Sequence, residues 1–159
     1  AIYSTQPQVF PHPELIDGKS VVLLDDTAIK GATLGGDPQK NTLGVVGLLR
    51  KAGARRIDIG LIMPKFTEGC DMGYYIVRDT LVAVSRMSDG TYRILNDEQI
   101  AEKIGADSIF FLSVEGVRKG YEEFFGQKDM ACMTCVGQRH PLEVIESPNK
   151  HERVSALTN

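Results

Sequence analysis

Four consecutive aliphatic residues, Val21-Val22-Leu23-Leu24, run directly into Asp25 and Asp26, and this stretch constrains the fold more than any other. A half-exposed strand would alternate apolar and polar residues. A continuous run fits a strand covered on both faces, as in parallel α/β sheets. Asp25 and Asp26 then fall at the carboxyl end of the strand, the edge at which open α/β sheets bind ligands. Adjacent carboxylates there can accept hydrogen bonds from a sugar diol and help to hold Mg²⁺. The loop Thr27-Ala28-Ile29-Lys30-Gly31-Ala32-Thr33 follows, bringing two hydroxyls, a cation and a glycine that permits close backbone approach. These are parts from which a phosphate site is built. An ordinary strand ending in a polar turn is the plainer reading of the same residues.

The rest of the chain carries the pattern of an α/β domain. Ala1 to Ile16 holds Pro7, Pro11 and Pro13 without periodicity and reads as an extended lead-in, with a turn at Asp17-Gly18-Lys19. Asn41 or Thr42 can cap a helix whose apolar face is Leu43, Val46, Leu48 and Leu49 and whose end is marked by Arg50, Lys51 and Gly53. A second buried strand spans Arg56 to Met63, so strand, helix and strand imply a right-handed parallel βαβ unit. Ser88-Asp89-Gly90 between the apolar runs of 80–85 and 91–95 predicts a hairpin. Asn96 and Gln99 have capping-box spacing before a helix to about Ile104. Ile109 to Leu112 reads as a strand, and Ser113 can cap a last helix to about Phe125. The tail after Pro148 is polar.

The 159 residues suffice for one domain with a core, and 42% hydrophobic with 25% charged residues describes a globular protein. With 18 Lys and Arg against 21 Asp and Glu, the chain is mildly acidic, which argues against nucleic acid as the partner. No apolar stretch approaches a membrane span, the N-terminus lacks a signal-peptide pattern, and a cytoplasmic location is the expectation. Three cysteines, two of them spaced C-x-x-C at Cys132 and Cys135, point away from a disulfide framework and toward metal or redox chemistry. Reduced, structural cysteines are the alternative.

The run from Val21 to Thr33 resembles the phosphoribosyl pyrophosphate (PRPP) signature of type I phosphoribosyltransferases. Two later stretches, NDEQIAEKIGADSIFFLSVEGV (96–117) and CMTCVGQRHPLEVI (132–145), resemble the C-terminal part of glutamine PRPP amidotransferase, the amidophosphoribosyltransferase family. The three motifs occur in the family's order and cover roughly Gly18 to Ile145. The resemblance implies a parallel α/β sheet with flanking helices, a partial type I phosphoribosyltransferase-like domain over 18–147, with 1–17 as lead-in and 148–159 as tail. It further implies transfer of a phosphoribosyl group from PRPP to glutamine-derived ammonia, giving phosphoribosylamine in the first step of purine nucleotide synthesis. Asp25, Asp26, Thr27, Ala28, Ile29, Lys30, Gly31, Ala32 and Thr33 would bind PRPP or a nucleoside monophosphate, with Mg²⁺ on Asp25 and Asp26. No catalytic side chain is assigned.

Members of that family that carry a [4Fe–4S] cluster use a cysteine from a mid-domain loop, the C-x-x-C pair and one earlier cysteine. By resemblance Cys70, Cys132 and Cys135 are the first three, and the fourth has no counterpart in this sequence. Zn²⁺ completed by His140 is the alternative. The resemblance also implies a preceding glutaminase and transferase segment, or a partner chain carrying it, and a homo-oligomer.

The sequence departs from the family in three places. Leu34 to Lys40 is inserted beside the expected phosphate loop, Asp71 to Leu95 places a hairpin where the family has helix, and Lys30 stands where Arg is common, losing the bidentate fork. These departures keep open a second function, a non-catalytic PRPP-, nucleotide- or metal-binding regulatory module.

Overall fold

The computed structural model describes residues 11–37, 42–70, 76–129 and 131–139. Its centre is a three-stranded parallel sheet in the order β1 (Ser20–Asp25), β4 (Arg56–Leu61), β7 (Ser108–Phe111). Val22 pairs with Asp58 and Asp58 with Ser108. Two residues on, Leu24, Gly60 and Phe110 form the next row. Two small antiparallel hairpins flank the sheet, β2 (Gly36–Asp37) with β3 (Thr42–Leu43), and β5 (Val84–Arg86) with β6 (Tyr92–Ile94).

The chain advances from β1 to β4 to β7 in one direction, so right-handed crossovers place the connecting helices on one face. Those helices are α3 (Val45–Lys51) and α4 (Asp97–Ile104). Val45, Val46 and Leu49 of α3 and Ile100, Ala101 and Ile104 of α4 close over Ile57, Ile59, Leu61 and Ile109 of the sheet, forming the main core. α4 starts with the capping box expected, Asn96 accepting from the Gln99 amide at 2.8 Å and Gln99 accepting from the Asn96 amide at 3.2 Å. α5 (Val114–Phe125) starts at Ser113, whose hydroxyl accepts from the Gly116 amide at 3.0 Å. It packs on a second cluster of Phe66, Ile76, Leu81, Val84, Met133 and Val136.

Five expectations are corrected. The cap of α3 is Gly44, because Thr42 and Leu43 are drawn into β3 by pairing with Asp37 and Gly36. A Cβ on Gly44 would lie 2.2 Å from the Leu34 carbonyl oxygen, so only glycine lets the hairpin fold back against the helix start. Asn41, the other candidate, lies outside the described residues. The first arm of the 80–95 hairpin begins at Val84, since 78–80 form a 3-10 turn, and β4 stops at Leu61. Pro13–Ile16 makes one helical turn, α1, in a stretch read as extended, with proline at its first position where the missing N–H costs nothing. Lastly, among the described residues β1 is covered on one face only, and Val22 and Leu24 are exposed.

Asp107 ties the α3–β4 layer to the β7 turn. It accepts the Ile57 amide at 2.7 Å and the Arg50 guanidinium at 2.6 Å. The Ile57 amide and then Arg50 hold its carboxyl below the usual carboxylate range. Its stabilisation is therefore complete above that range and fades as pH falls through the lowered folded pKa. Asp107→Ala is expected to cost about 1–2 kcal/mol at neutral pH, because a half-buried amide loses its acceptor. The variant should also show a flatter loss of stability on acidification, both read by urea denaturation as a function of pH.

Candidate functional site

β1 delivers Asp25 and Asp26 to the carboxyl edge of the sheet, and each carboxylate is oriented by the next backbone amide. Asp25 accepts from the Asp26 N–H at 2.9 Å and Asp26 from the Thr27 N–H at 2.6 Å. Asp25 is half-buried and Asp26 exposed, so both carboxylates meet solvent at this edge.

The loop beyond them is anchored on both sides. Ala28 is buried in the main core, while Ile29 packs against the second cluster and its carbonyl accepts from the Val82 amide at 2.8 Å. Gly31 turns the chain with φ +75°, and a Cβ there would meet Val82 Cγ2 at 2.7 Å, so both conformation and space demand glycine. α2 (Ala32–Gly35) follows as a single turn, with Lys30, Ala32 and Thr33 exposed. Among the described residues, the amides of Ala28, Ile29, Lys30 and Gly31 donate to no acceptor. The Thr27 hydroxyl is shut off from solvent with no partner. A row of uncommitted amides beside a buried orphan hydroxyl is a place that an anionic oxygen would satisfy. Of the inserted residues, Leu34 and Gly35 complete α2 and Gly36–Asp37 form β2, which pairs with β3, while 38–41 lie outside the described residues.

Sequence reading gave no role to Lys65, which the fold brings to the same edge of the sheet. Its ammonium pairs with Asp97 at the start of α4, donates to the Leu95 carbonyl at 3.3 Å and lies 5.5 Å from the centre of the Phe111 ring. A cation just past the end of a buried strand was the available signal.

The cysteines share a neighbourhood. Cys70 and Cys135 are half-buried against the second cluster, and Cys132 is exposed. The Cys135 carbonyl accepts from the amides of Thr67 at 2.9 Å and Glu68 at 3.1 Å, which stitches the C-x-x-C turn to the loop that carries Cys70. Burial pushes the Cys135 thiol up, and the nearby thiols of Cys70 and Cys132 push in the same direction. The Thr134 hydroxyl, 3.4 Å from its sulfur, lowers that of Cys132. Even so, among the described residues no three His, Cys, Asp or Glu side chains converge into a ready metal site. The donors fit a four-thiolate cluster in chemistry and incompletely in number and geometry. His140, the alternative zinc ligand, lies outside the described residues.

A parallel sheet whose edge bears an acidic pair leading into a glycine loop is the layout of the type I phosphoribosyltransferase fold. No protein-family model matches the chain. The amidophosphoribosyltransferase of Methanocaldococcus jannaschii is 32% identical over 135 residues, which are 84% of this chain and 24% of that protein. Among solved structures, the Bacillus subtilis glutamine PRPP amidotransferase complexed with ADP and GMP matches with TM-score 0.61 and 25% identity, over 85% of this chain and 26% of that one. A structure described as the allosteric regulatory enzyme of purine biosynthesis matches with TM-score 0.64 and 26% identity, over the same shares, 85% and 26%. The chain belongs to the amidophosphoribosyltransferase family. It spans about a quarter of the length of these relatives.

Gly31→Ala should destabilise the chain by about 1–3 kcal/mol, combining a left-handed alanine with overlap on Val82. Adding Val82→Ala should relieve only the steric share. Urea denaturation of both single variants and the double variant measures the coupling.

Proposed function

We propose that this chain carries the PRPP-binding part of an amidophosphoribosyltransferase, which transfers a phosphoribosyl group to glutamine-derived ammonia and so opens purine nucleotide synthesis. The observation that carries this reading is the pairing of oriented Asp25 and Asp26 carboxylates with the uncommitted amides of the next loop. On this reading the carboxylates accept the ribose hydroxyls and hold Mg²⁺, which would neutralise charge on the departing pyrophosphate. Thr27 to Thr33 wrap the 5′-phosphate, with the Thr27 and Thr33 hydroxyls assisting.

Pyrophosphate leaves PRPP through an oxocarbenium-like state, so catalysis consists mainly of holding ribose, phosphate and metal in line. That explains why a binding edge with no assigned nucleophile suffices for this share of the reaction. The domain proposed over 18–147 supplies the edge, and release of ammonia from glutamine belongs to a segment or chain outside these residues. Cys70, Cys132 and Cys135 are proposed as three ligands of a [4Fe–4S] cluster, with the fourth supplied from outside this sequence. A cytoplasmic setting, in which thiols stay reduced, and assembly with further copies are parts of the same reading.

Calorimetry with PRPP and Mg²⁺ tests the edge. Asp25→Asn with Asp26→Asn should weaken binding roughly 10- to 100-fold, the scale of lost charge-assisted hydrogen bonds. Unchanged affinity would refute the assignment. For the cysteines, anaerobically prepared protein should be brown and absorb broadly at the blue end of the visible range, and Cys70→Ser should remove the colour. A colourless preparation with stoichiometric zinc would contradict the cluster.

A further inference from the structure

The candidate loop rests on a floor to which sequence reading gave no role, formed by residues 81–83 and the last turn of α4. Leu81, Val82 and Ala83 are 1%, 2% and 1% exposed, although they belong to no strand or helix. A buried stretch of irregular backbone must spend its polar groups on neighbours. The Val82 amide donates to the Ile29 carbonyl at 2.8 Å, and the Ala83 carbonyl accepts from the Leu95 amide at 2.9 Å. The Val82 carbonyl is left without a backbone partner among the described residues. Lys103 supplies one, its ammonium donating to that carbonyl at 3.1 Å. The next residue, Ile104, backs the same loop. A Cβ on Gly31 would lie 3.6 Å from Ile104 Cγ2, and a Cβ on Gly35 would lie 3.1 Å from Ile104 Cα.

The bond from Val82 to Ile29 also aims the opposite side of the loop. In a trans peptide the carbonyl and the amide of one planar unit point in opposite directions. With the Ile29 carbonyl drawn onto Val82, the Lys30 N–H of the same unit is turned away from the floor, and it is one of the amides that donate to no acceptor among the described residues. Rotating that unit would break the bond to Val82. The direction of the Lys30 amide is therefore as firm as the placement of Val82. The Val82 side chain matters too, since its Cγ2 stands 2.7 Å from where a Gly31 Cβ would be, directly against the residue that turns the loop.

We infer that Lys103 is a positioning residue for the phosphate loop and acts through Val82. Its ammonium fixes the Val82 peptide against α4, Val82 holds the Ile29 carbonyl, and the Ile29–Lys30 peptide presents its N–H to an oxygen of a phosphate monoester. The identity of that ligand rests on the proposed function, whereas the brace beneath the loop does not. Lys103 also lies in the last turn of α4, where a cation favours the helix dipole. That second role concerns stability alone and does not reach the loop.

Two variants of the 159-residue chain separate these roles, Lys103→Met, which keeps the aliphatic stem and removes the donor, and Lys103→Arg, which keeps a donor. Lys103 is exposed, so neither substitution disturbs the core. Amide hydrogen exchange without ligand reads the brace. In Lys103→Met the Val82 amide should exchange roughly tenfold faster, with the amides of β4 and β7 unchanged, and Lys103→Arg should restore protection. Titration with ribose 5-phosphate reads the consequence. Lys103→Met should weaken binding roughly three- to tenfold, the scale of one misaligned hydrogen bond, whereas Lys103→Arg should stay within about twofold of the parent. Val82 exchange and affinity both unchanged in Lys103→Met, whatever its urea midpoint, would overturn the inference and leave Lys103 as a cation for the helix dipole. Faster Val82 exchange with unaltered affinity would overturn it as well. A parent chain that binds no ribose 5-phosphate, with the exchange changes as stated, would strike the proposed function and uphold the brace.

Discussion

Everything at the candidate site depends on how one loop is held between two hydrophobic clusters. Ala28 is sealed in the core formed by α3, α4 and the sheet, and the next residue, Ile29, belongs to the cluster beneath α5. Consecutive residues cannot satisfy two cores unless the chain between β1 and α2 follows a single path. The hydrogen bond from Val82 to Ile29 and the contact of Gly31 with Val82 fix that path from below. Hydrophobic burial of Ala28 and Ile29 thus supplies the rigidity of a polar site whose amides from Ala28 to Gly31 donate to no acceptor among the described residues. A preorganised anion cradle needs this arrangement, since it pays little ordering entropy on binding.

The parts of the fold that rest on local chemistry were legible in the sequence. The apolar run of β1, the capping box of Asn96 and Gln99, the Ser113 cap and the Asp-Gly turn all form as residue type and spacing require. The parts that depend on distant contacts were not. Leu43 fits the helical stripe of α3 equally well, but Gly44 allows the backbone to come against Leu34, and the residues before it are captured as a strand. Lys65 carries no motif, and its place at the sheet edge follows only from the packing of α4 and Phe111. At the candidate site, the acidic pair and the glycine were visible as chemistry, whereas the anchoring of Ala28 and Ile29 in separate clusters has no sequence signature.

The cysteines show the same division. Their spacing points to thiolate chemistry, but their shared neighbourhood depends on the 132–136 turn folding back so that the Cys135 carbonyl accepts from the amides of Thr67 and Glu68. That backbone contact, together with Met133 and Val136 in the second cluster, links the cysteine neighbourhood to Ile29 and hence to the loop after β1.

The loop from Asp26 to Thr33 is proposed to receive the phosphate of a phosphoribosyl group. Amide chemical-shift mapping during titration with ribose 5-phosphate tests it most directly, since even weak binding registers at individual residues. Saturable shifts are expected to concentrate on Asp26 to Thr33, strongest at the uncommitted amides of Ala28 to Gly31, with inorganic phosphate moving a subset of them. Shifts confined to the β2–β3 hairpin or scattered over surface lysines, with the loop amides unmoved, would contradict it.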